Sequence, residues 1–175
     1  MRIPIESSTS YRGRNSRPNW LLLAASVGAA LAAGALGAVF SPRMSAAAAQ
    51  WYAMLAKPSW TPPERWFGPV WLLLYVLMGT SAWLIGRERY HRGRNVALSA
   101  YVVQLLLNAA WAPLFFGAKN IGAGLFVIVA LWLAVAWTLR EFAAVRGAAA
   151  WMLVPYWICV SVASALNFAI WKLNP

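Results

Sequence analysis

Acidic side chains are scarce in this chain. Glu6, Glu64, Glu88 and Glu141 stand against fifteen lysines and arginines, for a net charge of +11. There is one histidine and one cysteine. A lone Cys159 excludes an intramolecular disulfide framework and a zinc-finger type of site. So few carboxylates leave no paired acids for catalysis, and no Ser/His/Asp set, phosphate-cradling glycine loop or metal-ligand spacing replaces them. His91 lies in the basic stretch "RERYHRGRN" and reads as a solvated residue. Charge is also too low for a water-facing surface. Only 11% of residues are charged and 62% are hydrophobic, where a soluble domain carries about 25% and roughly 45–50%. Length and composition point to one membrane-embedded domain.

A helix needs about 20 mostly apolar residues to cross the hydrocarbon core. Five segments qualify: 20–40, 66–86, 96–116, 121–139 and 148–171, none with an Asp, Glu, Lys or Arg. The fold class expected is therefore an all-α integral membrane protein, a bundle of five transmembrane helices. Connectors 87–95, 117–120 and 140–147 are short, so successive helices run antiparallel; only the first loop, 41–65, is long. The first run, "WLLLAASVGAALAAGALGAVF", follows basic residues as a secretory signal would. It is longer than the roughly 7–15 residues of a signal core, and four more spans follow, so it reads as a retained helix. Residues 1–19 hold Arg2, Arg12, Arg14 and Arg17 with Ser and Pro, and read as a disordered basic tail. The tail, second loop and fourth loop carry ten of the fifteen basic residues. The positive-inside rule then places the N-terminus in the cytoplasm and the long first loop outside. Basic residues that flank apolar runs in this way also argue against nucleic acid as a partner.

Polar residues inside the spans face the bundle interior, because an unpartnered amide in hydrocarbon is costly. Gln104, Asn108 and Trp111 follow at i, i+4, i+7, one narrow helical face. Cys159, Ala163 and Asn167 share a face of the fifth span, and Trp71 and Tyr75 are i, i+4 neighbours in the second. Three helices thus offer inward stripes of amides, rings and small residues, which suits a pocket for a large, flat, mostly apolar molecule. The plainer reading is that each amide only hydrogen-bonds a neighbouring helix, worth about 0.6–2 kcal/mol. Most of the twelve tryptophans fit an interfacial belt; Trp20, Trp66, Trp151 and Trp171 lie at span ends. Trp111 lies deeper. Small-xxx-small spacing around Gly28, Ala32, Gly34 and Gly37 supports close helix packing or a dimer. A proton-coupled transporter would keep an ionisable residue within the membrane, and none is found in the five spans.

The stretches "WYAMLAKPSWTPP" from Trp51, "FGPVWLLLY" from Phe67, "QLLLNAAWAPLFFG" from Gln104 and "VPYWICVSVASALNF" from Val154 occur in this order. Together they resemble the TspO/translocator protein family, also called tryptophan-rich sensory proteins or peripheral-type benzodiazepine receptors. The resemblance covers residues 20–174. It implies a five-helix bundle, often a homodimer, with a pocket opening toward the first loop. Family ligands are porphyrins such as protoporphyrin IX and haem, sterols, and benzodiazepine-type compounds; no cofactor is required. By motif, the resemblance implies ligand contacts at Trp51, Tyr52, Trp60, Trp71, Tyr75, Gln104, Asn108, Trp111, Ala163 and Asn167, with Cys159 on the same stripe. It also implies that the first loop is a lid. Pro58, Pro62, Pro63 and Pro69 restrict φ there, so ordering the lid loses less entropy. Trp51 and Trp60 are expected to present flat rings to a planar ligand.

Two positions depart from the family pattern. Where the fifth helix usually carries a tryptophan, four residues after Pro155, this chain has Cys159, and Trp157 lies about 200° away around the helix. The first loop reads Pro62-Pro63-Glu64-Arg65-Trp66, one residue longer than the usual Pro-Pro-x-Trp. The leading function is a membrane protein that binds porphyrin-like tetrapyrroles for sensing, regulation or transport. The runner-up is an enzyme degrading porphyrin with light and oxygen, for which the tryptophan missing at Cys159 is one of those implicated. A third reading is a helical membrane scaffold with incidental ligands.

Overall fold

The computed structural model describes residues 19–175. The basic tail expected at 1–19 lies, but for Asn19, outside the described residues. Among the described residues there are six α-helices and no strand: α1 Trp20–Val39, α2 Ala46–Met54, α3 Phe67–Gly86, α4 Arg94–Ala112, α5 Ile121–Val145 and α6 Gly147–Leu173. All but α2 are long and apolar enough to span a membrane, with α4 counted through Gly117. The chain is an all-α, multi-pass integral membrane protein.

Side chains begin three of the helices. Asn19 Oδ1 accepts from the Leu22 amide, Ser45 Oγ from Ala48 and Asn120 Oδ1 from Ala123. Each satisfies an N–H that the first turn leaves unpaired. Pro113 ends α4, since it brings no N–H to the helical ladder. The chain then winds through a π-helical turn, Pro113–Gly117, closed by the Ala118 amide on the Pro113 carbonyl at 2.8 Å. Two further bounds differ from the hydropathy reading. Helix α5 continues past residue 139 to Val145, and only Arg146 separates it from α6. The first loop is not all loop, because "AAAAQWYAM" forms α2.

The five long helices close a ring in the order α1, α3, α6, α5, α4, with α3 also touching α4 across it. Gly79 lets α1 and α3 come together: a Cβ there would fall on the Val27 backbone. Ser81 Oγ donates to the Ala149 carbonyl at 2.6 Å and joins α3 to α6. At the same end, Arg146 pairs with Glu88 at 2.9 Å, linking the α5–α6 corner to the α3–α4 loop. The main core, around Met78, Ile85, Val135, Phe142 and Leu153, fills that end of the ring. Toward the first loop the helices instead enclose a cavity.

Candidate ligand cavity and its lid

The cavity has a volume of about 710 Å³ and draws its walls from α1, α3, α4, the π-helical turn and α6. Its inner end is a hydrogen-bonded bridge across three helices. The Tyr75 phenol donates to Asn108 Oδ1 at 2.9 Å, and Asn108 Nδ2 donates to the Tyr156 phenol oxygen at 2.9 Å. Trp71 packs on both tyrosines, with ring centroids 5.9 and 6.2 Å away. Gly34 of α1 makes room for this group, since a Cβ would run into the Tyr75 ring.

A second polar link fixes the other wall. Trp111 Nε1 donates to Asn167 Oδ1 at 3.1 Å, and Asn167 Nδ2 donates to the Ile121 carbonyl at 3.2 Å. This ties α4, α6 and the start of α5 together, and holds the Trp111 ring at the cavity. Cys159 and Ala163 leave the α6 wall shallow. Next to Trp111, the π-helical turn brings in Phe115, stacked on it at 5.2 Å, and Phe116, edge-on at 5.6 Å.

Five residues of the first loop, Ser41, Pro42, Arg43, Tyr52 and Pro62, border the cavity. Tyr52 of α2 lines the cavity and meets Phe116 edge-on at 5.6 Å. Lys57 caps the end of α2, its ammonium donating to the Leu55 carbonyl at 2.9 Å and lying 4.6 Å from the centre of the Tyr52 ring. A longer-range clasp comes from α6. Asn174 Oδ1 accepts from the Ala56 amide and Nδ2 donates to the Ala56 carbonyl, both at 3.0 Å. The segment is thus bound to the far end of the chain by a two-point contact that reads backbone, not side chain.

Tyr52, Trp71, Tyr75, Asn108, Trp111, Cys159, Ala163 and Asn167 all line this one cavity. Trp51, Trp60 and Gln104 do not. Trp51 packs edge-on against Phe115 at 5.5 Å, behind the wall. Trp60 points outward and is half exposed. Gln104 lies one turn along α4 from Asn108, beneath the tyrosine bridge. It is buried, and its amide makes no hydrogen bond to a protein group. Phe115, Phe116, Trp66 and Arg43 line the cavity without having been singled out as ligand contacts from sequence. The signal for the two phenylalanines is Pro113, which breaks the 3.6-residue period just before them. Among the described residues no acid lines the cavity, and Arg43 is the one charged residue in the lining. Such a lining, mostly ring and aliphatic carbon, suits an apolar molecule.

Residues 26–172 match the TspO/MBR family. The chain is 42% identical over 156 residues to the tryptophan-rich protein TspO of Chlorobaculum tepidum, covering 89% of this chain and 97% of that protein. It is 42% identical over 144 residues to protein CrtK of Rhodobacter capsulatus, covering 82% and 86% of the two chains. The human translocator protein is 39% identical over 127 residues, 71% of this chain and 75% of that protein. By the match across nearly all its spans, this chain belongs to the TspO/MBR family.

Proposed function

We propose that the protein binds porphyrin-like tetrapyrroles, such as protoporphyrin IX or haem, in this cavity, and that it acts in sensing, regulation or transport. The observation that carries this reading is the cavity itself. Its volume lies within the roughly 300–1,000 Å³ of small-molecule sites, and the rings of Trp71, Tyr75, Trp111 and Phe115 border it with few polar groups. Planar aromatic surfaces favour a flat conjugated guest. The names of relatives, a translocator protein in one case and a tryptophan-rich sensory protein of Cereibacter sphaeroides in another, agree with a membrane binding protein.

The test is a protoporphyrin IX titration of the purified protein, read by tryptophan quenching in the dark and then under illumination. Saturable dark quenching is expected, weakened roughly tenfold by Trp71→Leu and unchanged by Trp60→Leu, whose ring lies outside the cavity. Absence of saturation, or equal weakening by both variants, refutes the site. In light the porphyrin spectrum is expected to fade no faster than that of free porphyrin; faster loss would favour the degrading enzyme.

A further inference from the structure

The cavity walls leave little for the polar edge of a ligand to bind. The Asn108 amide is engaged by two phenols, and the Asn167 amide by Trp111 and a backbone carbonyl. Nearly everything else on the walls is ring, methyl or methylene. Arg43 differs. It lies in the turn between α1 and α2, is exposed at the mouth, and is the one charged residue among the described lining residues. Gly68, in the first turn of α3, accommodates it: a Cβ at that position would come within 2.5 Å of Arg43 Nη1. The guanidinium thus lies across the mouth from α1 to α3. Its five N–H donors let it take a carboxylate in addition to the protein contacts it makes.

We infer that Arg43 is the acid-recognising group of this cavity, so that the favoured ligands have a flat apolar body with a carboxylate on one edge. The ring system lies inward among Trp71, Tyr75 and Trp111, and the acid stays at the mouth beside Arg43. An arginine suits this position because its planar fork matches both carboxylate oxygens and it stays charged at any physiological pH. The apolar walls strengthen the contact, because a ligand that fills the mouth displaces water from around the guanidinium. This inference rests on the ligand cavity proposed above and adds the chemistry by which it selects. A lipid phosphate would satisfy the same guanidinium, so the test separates the two sources of anion.

The experiment compares protoporphyrin IX with its dimethyl ester, which keeps the ring and loses both charges. Each is titrated into wild type, Arg43→Gln and Arg43→Lys, in detergent, in phosphatidylcholine nanodiscs and in nanodiscs containing phosphatidylglycerol. Wild type should bind the acid about fivefold more tightly than the ester, as for a charged contact at a partly exposed rim. Arg43→Gln should bring the two within twofold by weakening the acid alone, and Arg43→Lys should retain part of the preference. Equal binding of acid and ester by wild type overturns the inference and leaves the cavity intact as a ligand site. A preference that survives Arg43→Gln does the same. If phosphatidylglycerol abolishes the wild-type preference, Arg43 belongs to the headgroup and the inference falls. If neither compound binds in any setting, the tetrapyrrole reading fails, and this one with it.

Discussion

Removing Asn108 should reveal whether the tyrosine bridge holds the bundle together or only decorates the cavity. Asn108→Ala deletes two interhelical hydrogen bonds, one to Tyr75 on α3 and one to Tyr156 on α6. Interhelical bonds of this kind are worth about 0.6–2 kcal/mol each. The Tyr156 side chain is wholly buried, and a buried hydroxyl left without its partner costs about 1–3 kcal/mol. These two figures describe overlapping losses, so the expected destabilisation is about 2–3 kcal/mol rather than their sum. Tyr156→Phe alone should lose about 1 kcal/mol, because it removes one bond and the phenol with it. In the Tyr156→Phe background, Asn108→Ala should cost at least about 1 kcal/mol less than in wild type, since the stranded phenol is gone. Reversible unfolding in mixed micelles of sodium dodecyl sulfate, followed by tryptophan fluorescence, would measure all four corners of the cycle. A cycle additive within about 0.3 kcal/mol would refute the argument. So would Asn108→Ala destabilising by less than about 0.5 kcal/mol.

Three further outcomes follow from single contacts. Gly79→Ala places a methyl on the Val27 backbone, and should destabilise by about 1–3 kcal/mol in the same unfolding assay, because backbone cannot yield as a side chain can. Asn174→Ala removes the clasp on Ala56; limited proteolysis within residues 55–63 should quicken severalfold, and bound porphyrin should dissociate faster, with helix content by circular dichroism unchanged. The orientation from positive charges predicts that, in a Cys159→Ser background, Ser7→Cys is labelled from the cytoplasmic face and Ser59→Cys from the opposite face. The reverse pattern would show that the charge bias misleads here.

The five spans were legible because hydrocarbon demands uninterrupted apolar length, and composition records that directly. Helix ends were less legible, because hydropathy marks the edge of the apolar layer and not the end of hydrogen bonding. Arg140 and Glu141 end the apolar run, yet both are good helix formers, and α5 passes through them. Helix α2 went unseen for a related reason: the prolines of the first loop, Pro42 before it and Pro58 after its last turn, mark the segment as a connector, while Ser45 and the alanine run between them spell a capped helix. The stripes on α3, α4 and α6 could be read because period alone fixes which residues share a face. Depth is not encoded by period. Gln104 shares the face of Asn108 but lies about 6 Å further along the axis, under the bridge and out of the cavity. Trp51 and Trp60 belong to the first loop, where no long helix sets direction, so their rings could not be aimed from sequence.

Cys159 bears most directly on whether binding or chemistry describes the site. Its side chain lines the cavity on the same face as Ala163, so a tryptophan there would project among Trp71, Tyr75 and any ring system bound beside them. Trp157, two residues earlier, instead packs against Trp132 at 5.3 Å, on the α5 side of the helix. It cannot substitute for a ring on the cavity wall. Cys159→Trp therefore does two opposing things: it takes space from an enclosed site and adds an electron-rich indole next to the guest. Porphyrin affinity should fall severalfold, because the packed neighbours can accommodate the added bulk only in part. If light-driven breakdown depends on an indole at this position, the variant should lose the porphyrin spectrum under light and oxygen while wild type keeps it, and anaerobic samples of both should be stable. Should wild type degrade porphyrin as fast as Cys159→Trp, the indole is dispensable and the cavity of this chain is catalytic without it.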